Sequence, residues 1–166
     1  MAQAQITEFP AEKSARYLAL AKEIAAVNAG EGFEIARLAS AACLLHTAFP
    51  ERFLWTGFYL VDPAKPHELV VGPYQGSLGC LRIPFGKGVC GTVAQTQTAL
   101  IVPDVHAFPG HIACDGRSQS EIVLPVFGRD GKLAGVLDID SHILNAFDAE
   151  DLAGLGPICA ALLIAD

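Results

Sequence analysis

Residues 111 to 125, HIACDGRSQSEIVLP, set Cys114 in a polar stretch that runs straight into an apolar one. A packing cysteine behaves as a small hydrophobe among Leu, Ile and Val, whereas Cys114 has His111, Asp115, Arg117, Ser118, Ser120 and Glu121 within seven residues. That company suits a reactive thiol. Downstream, GVLDIDS alternates so that, in a strand, Val136, Asp138 and Asp140 share one face while Leu137 and Ile139 share the other. The two carboxylates then point the same way about 7 Å apart, two residues of strand rise. A solvated strand end also explains them, because Asp is commonly exposed. Glu121, opening another apolar strand, adds a third acid if it faces the same space. Gathered carboxylates disfavour ionising together, so one can stay protonated as a proton donor while the others receive a ligand ammonium. They also oppose thiolate formation, so Cys114 needs His111, Arg117 or backbone N–H groups to bring its pKa down from about 8.5.

The five cysteines, at 43, 80, 90, 114 and 159, form an odd set with no CxxC pair, which argues against a permanent disulfide framework. A zinc site wants Cys or His pairs two to four residues apart, and only His111 with Cys114 comes near. No metal and no other cofactor is expected. The 166 residues are 52% hydrophobic and 17% charged, a globular composition of one-domain length. A net charge of -7 with scattered basic residues argues against nucleic acid or an anionic membrane as partner, since both are bound through clustered Lys and Arg. No apolar run reaches the ~18 residues of a membrane helix. The amino terminus, MAQAQITEFPAEKSARY, lacks the basic-then-apolar pattern of a secretory signal, and a cytoplasmic location is expected.

The elements that must position these groups are legible as periodicities. Helical spacing of Ala, Leu and Ile predicts a helix over 12–28, stopped at Asn28, Ala29 and Gly30, and a second over 33–48, ended by Pro50. Cys43 and His46 fall on or beside the second helix's apolar stripe, and Cys43 is expected to pack in the core. FLWTGFYLV (53–61) and HELVVGPYQG (67–76) read as a hairpin turned by DPAKP. Further strands are expected at 81–84, 99–103, 121–127 and 133–140, the last two joined by GRDGK, with a short helix beginning near Gly88. Residues 149–165 predict a closing amphipathic helix capped by Asp148, interrupted near Gly156 and Pro157, with Cys159 in the core. Terminal helices around antiparallel strands describe an α+β fold, its central sheet covered by helices on one face and by a loop-covered pocket on the other. The long loop 104–120 is then a candidate functional segment.

WTGFYL, LVVGPYQG, LRIPFGKGVCGTVA, VPDVHAFPGHIACD, SQSEIVLPV and GVLDIDS occur in that order and closely resemble the free methionine-(R)-sulfoxide reductases, single-domain enzymes of the GAF fold. The match runs from about Trp55 to Asp151, and the spacing of Cys80, Cys90 and Cys114 is similar to the family's three-cysteine pattern. The resemblance implies one GAF domain over 1–166, with 1–11 a flexible segment. It implies that Cys114 attacks the sulfoxide sulfur and is left as a sulfenic acid, the first rung of thiol oxidation. Cys80 then resolves it as a disulfide, with Cys90 as alternative or relay, and thioredoxin or a similar dithiol reduces that disulfide. It further implies that Trp55 packs on the substrate methyl, that Glu121, Asp138 and Asp140 hold the ammonium and the sulfoxide oxygen, and that the chain forms a homodimer. DPAKPHE is about three residues longer than the family's usual turn, which should lengthen a surface hairpin.

Two rival functions share these residues. GAF domains also serve as small-molecule sensors, and a fold does not dictate a function. A sensor is usually fused to an output domain and has no evident use for three loop or strand-edge cysteines. A thiol redox switch without turnover is the other rival, and turnover on methionine-(R)-sulfoxide separates it from an enzyme.

Overall fold

The computed structural model describes residues 8–163. The expected flexible segment 1–11 lies largely outside the described residues, and so do the last residues of the expected closing helix. Glu12 opens α1 (Lys13–Val27) by accepting from the amides of Ser14 and Ala15, which satisfies two of the donors a helix start leaves unpaired. After α2 (Glu34–Ala48) the chain enters the hairpin β1 (Trp55–Asp62) and β2 (Lys65–Gln75), then β3 (Arg82–Pro84), α3 (Gly88–Thr96) and β4 (Leu100–Val102). A 3-10 turn at Val105–Ala107 interrupts the long loop before β5 (Ser120–Phe127), β6 (Leu133–Ser141) and α4 (Ala149–Ala161).

The six strands form one antiparallel sheet in the order β3-β2-β1-β6-β5-β4. Strand alternation divides the core in two. Phe58, Ile122, Leu124, Leu137 and Ile139 pack with residues of α1, α2 and α4 on one face. Trp55, Tyr59, Val123 and Val136 turn to the other face, where α3 contributes Val89, Cys90, Val93 and Ala94. The pocket face therefore carries a helix of its own besides its loops. Among the described residues, no helix is long and apolar enough to cross a membrane.

Two local expectations need correction. Cys43 is exposed rather than buried: α2 turns Leu38, Ala41, Ala42, Leu45 and Ala48 inward, and the residue after Ala42 points about 100° away from that stripe. Helix α4 is not interrupted, because Pro157 lies inside it. A proline inside a helix loses one backbone hydrogen bond and crowds the carbonyl one turn earlier, and Gly156, lacking a Cβ, relieves only the further clash with the preceding residue. The segment DPAKPHE extends the hairpin: most of it joins the strands, with Asp62 paired to Lys65 across Pro63 and Ala64 and a register shift between Val61 and Asp62.

Candidate active site

Sheet register assembles the site from distant parts of the chain. Asp140 on β6 lies opposite Trp55 on β1 and opposite Glu121 on β5, so the three form one row across the sheet. The next row on the same face is Gly57, Asp138 and Val123. Gly57 leaves space that Trp55 fills: a Cβ there would stand 2.6 Å from the indole Cη2. The indole stacks between Tyr59 and Tyr74, with ring centroids 5.5 and 5.2 Å away, and its Nε1 donates to the Ser77 carbonyl at 3.0 Å. Two aromatic neighbours and one hydrogen bond fix the orientation of this wall.

Helix α3 sets Cys90 over the acids. Its Sγ donates to Glu121 Oε1 at 3.7 Å, and Cys90, Glu121 and Asp138 are all buried. His111 Nδ1 approaches Glu121 Oε2 at 4.0 Å. Among the described residues, the buried His111 Nδ1 and Asp138 Oδ1 find no hydrogen-bond partner, and buried polar atoms in that condition are uncommon. Above them Cys114 is disulfide-bonded to Cys80, with the Cα atoms 5.2 Å apart. Cys90 remains a free thiol. Asp115 takes a hydrogen bond from Ser77 Oγ and, at 2.7 Å, an ion pair from Arg117, tying the loop of Cys114 to the loop of Cys80.

Burial decides the protonation of the acids. It raises Asp138 to about 6. Burial together with the Asp138 charge holds Glu121 and Asp140 well above the usual carboxylate range. The Cys90 thiol is likewise pushed up, first by burial and then by the charges of Asp138 and Glu121. Asp138 is therefore the most readily ionised of the three acids, Glu121 and Asp140 are the ones inclined to hold a proton, and burial opposes ionisation of the thiol above them. Such a floor can receive a cation and donate protons at once. Arg117 is directed to Asp115, and burial lowers the pKa of His111.

Trp55, Cys90, Cys114, Glu121, Asp138 and Asp140 line one cavity of about 480 Å³ counted out to its mouth. Cys80 joins it through its bond to Cys114. Tyr59, Gly79 and Ser118 also line it, and nothing in the local sequence around Tyr59, Gly79 or Gly57 marks them as chemical residues. The available signal was a glycine inside a strand pattern, which often marks close approach of another group.

The GAF domain family model matches residues 36–165. GAF domain-containing protein A of Dictyostelium discoideum is 49% identical over 139 residues, 84% of this chain and 85% of that protein. The free methionine-R-sulfoxide reductase of Escherichia coli strain K12 is 43% identical over 150 residues, 90% of this chain and 88% of its own length. The X-ray structure of free methionine-R-sulfoxide reductase from Neisseria meningitidis in complex with its substrate superposes with a TM-score of 0.90 at 43% identity, covering 96% of this chain and 93% of that one.

Proposed function

Since the chain belongs to the free methionine-(R)-sulfoxide reductases of the GAF fold, we propose that it reduces free L-methionine-(R)-sulfoxide to L-methionine at the cavity between Trp55 and the Cys80–Cys114 pair. One observation carries the reading: a disulfide joins a half-buried and an exposed cysteine beside a cavity floored by buried acids. That is what one completed turnover leaves behind.

In the reduced enzyme the Cys114 thiolate attacks the sulfoxide sulfur. The sulfur–oxygen bond breaks, the oxygen passes to Cys114 as a sulfenic acid, and methionine leaves reduced by two electrons. A proton from Glu121 or Asp140 makes the oxygen a better acceptor of electrons, the use of a carboxyl kept neutral by its surroundings. Asp138, ionised at neutral pH with one buried oxygen unpartnered, receives the substrate ammonium. Trp55 holds the methyl group, and backbone amides of 114–121 take the carboxylate. Cys80 then attacks the Cys114 sulfur and water leaves. Thioredoxin or a similar dithiol restores both thiols by exchange.

The test is NADPH consumption in a thioredoxin-coupled assay with methionine-(R)-sulfoxide. Turnover is expected, and Cys114→Ser is expected to abolish methionine formation even in excess dithiothreitol. Near-normal activity of that variant would remove Cys114 from the reaction. No turnover in the native protein would leave a thiol switch.

A further inference from the structure

We propose that Cys90, Glu121 and Asp138 form a binding site for a thiophilic divalent cation of the zinc type on the floor of the cavity. One ligand atom from each lies within 4.8 Å of the other two, and all three residues are buried. The Cys90 Sγ to Glu121 Oε1 separation of 3.7 Å is close to the sulfur–oxygen edge of a zinc tetrahedron, about 3.5 Å for bonds of roughly 2.3 and 2.0 Å. That edge needs little adjustment, and the Asp138 oxygen lies within 4.8 Å of both atoms.

A second observation points to a missing partner. Asp138 is 5% exposed, and its Oδ1 makes no hydrogen bond, a costly arrangement unless something positive arrives. The three donors stand on α3, β5 and β6, not on the loops, which favours a site held in place before binding.

Donor chemistry selects the ion. Two carboxylates alone would suit magnesium or calcium, whereas adding a thiolate favours zinc, which takes sulfur and oxygen ligands together. Binding forms one metal–sulfur and two metal–oxygen bonds. The thiol proton and any carboxyl protons leave to solvent, and no electrons move. The consequence for activity rests on the function proposed above: the ion occupies the place of the substrate ammonium, so zinc inhibits competitively with methionine-(R)-sulfoxide.

Cobalt(II) is the probe, because a thiolate bound to it gives a near-ultraviolet charge-transfer band. It is added to the disulfide-bonded protein, in which Cys80 and Cys114 offer no thiolate, and to the Cys80→Ser/Cys114→Ser double variant, in which nothing staples the loops. A band at one equivalent, displaced by zinc, is expected in the double variant at least. It should persist in Cys43→Ser and vanish in Cys90→Ser, while Glu121→Gln should weaken cobalt binding by at least about tenfold. No band in either background, or one that survives Cys90→Ser, overturns the site. The readout requires no turnover: a cobalt band in a protein that forms no methionine would refute the proposed function and leave the metal site standing.

Discussion

Gly57 has no side chain, and the aromatic wall of the cavity depends on that. An added Cβ would meet Tyr74 Cβ at 2.3 Å, Trp55 Cη2 at 2.6 Å and the Tyr74 Cα at 2.9 Å, so Gly57→Ala must displace the indole and also push Tyr74 and its backbone away. Overpacking of this kind typically costs about 1–3 kcal/mol. Trp55 is the only tryptophan, which makes its emission a direct report on the site. Gly57→Ala should lower Tm, shift the emission spectrum and raise KM for the sulfoxide. An unchanged spectrum would mean the indole is not held against Gly57. The cysteines divide by environment. Cys80→Ser should still release about one methionine per enzyme, because sulfenic acid formation precedes resolution, while thioredoxin-driven turnover is largely lost. Quantifying methionine in a single turnover checks this, and full thioredoxin-driven turnover would shift resolution to Cys90. Cys114 was legible as a reactive candidate from its polar neighbours, and the acids from strand alternation. Cys43 was misread because one helical position separates a core residue from a solvent-facing one. Gly57 and Tyr59 escaped notice because ring stacking across strands leaves no mark on local sequence.

Helix α4 shows how an element is fixed by its first turn. Asp148 accepts from the amides of Glu150 and Asp151, while Asp151 accepts from the Asp148 amide, the reciprocal arrangement of a capping box. Lys13 of α1 reaches Asp148 at 2.7 Å. Tyr17 donates to the buried Asp151 at 2.7 Å, and Arg52 pairs with it at 3.0 Å. Two helices and the turn before β1 are thus joined at one acidic corner. Asp148→Ala should cost about 1 kcal/mol at neutral pH, the usual worth of an N-cap side chain. Its hydrogen bond with Lys13 lowers the Asp148 pKa to about 2 in the fold, below the ~3.9 of an unfolded chain. The contribution is therefore complete at neutral pH and fades as pH falls from about 4 towards 2. With 61% of the side chain exposed, screening keeps the ionic share small. Urea denaturation at pH 7 and pH 3 should show a narrower gap between variant and wild type at the lower pH. A wider gap there would reverse the assigned sign. The helices and most strands were legible to within a few residues because each carries its own period. Pro157 departs from the rule that a proline ends a helix, because the packing of a helix can override the preference of a single residue.

At the scale of the molecule, function comes from sheet order. Local sequence indicated an antiparallel sheet with terminal helices on one side, but not that β6 would lie between β1 and β5. Pairings between distant segments are set by which hydrophobic faces can be buried together, and a strand's own residues do not encode its neighbours. That order brings Trp55 from one end of the sheet sequence together with Asp138, Asp140 and Glu121 from the other, and α3 then covers them with Cys90. The resulting site is a partly enclosed cavity with the Cys80–Cys114 disulfide in its loops, rather than an open groove along which a peptide could lie. Under the proposed function this enclosure should decide the substrate. Acetylation of the substrate nitrogen removes the cation that Asp138 receives and leaves a buried carboxylate without its partner, a loss of about 3–5 kcal/mol in comparable buried pairs. N-acetylmethionine-(R)-sulfoxide and peptide-bound methionine sulfoxide should fall below the free amino acid by at least ~100-fold in kcat/KM if only ~3 kcal/mol is felt. The S epimer should fail for a separate reason: with the methyl group held on Trp55, inversion at sulfur carries the oxygen away from the protonated carboxyls. All four compounds, measured with one preparation, separate the two effects. Comparable rates on the free and acetylated R forms would eliminate the ammonium site and turn the reading towards a reductase of protein-bound methionine.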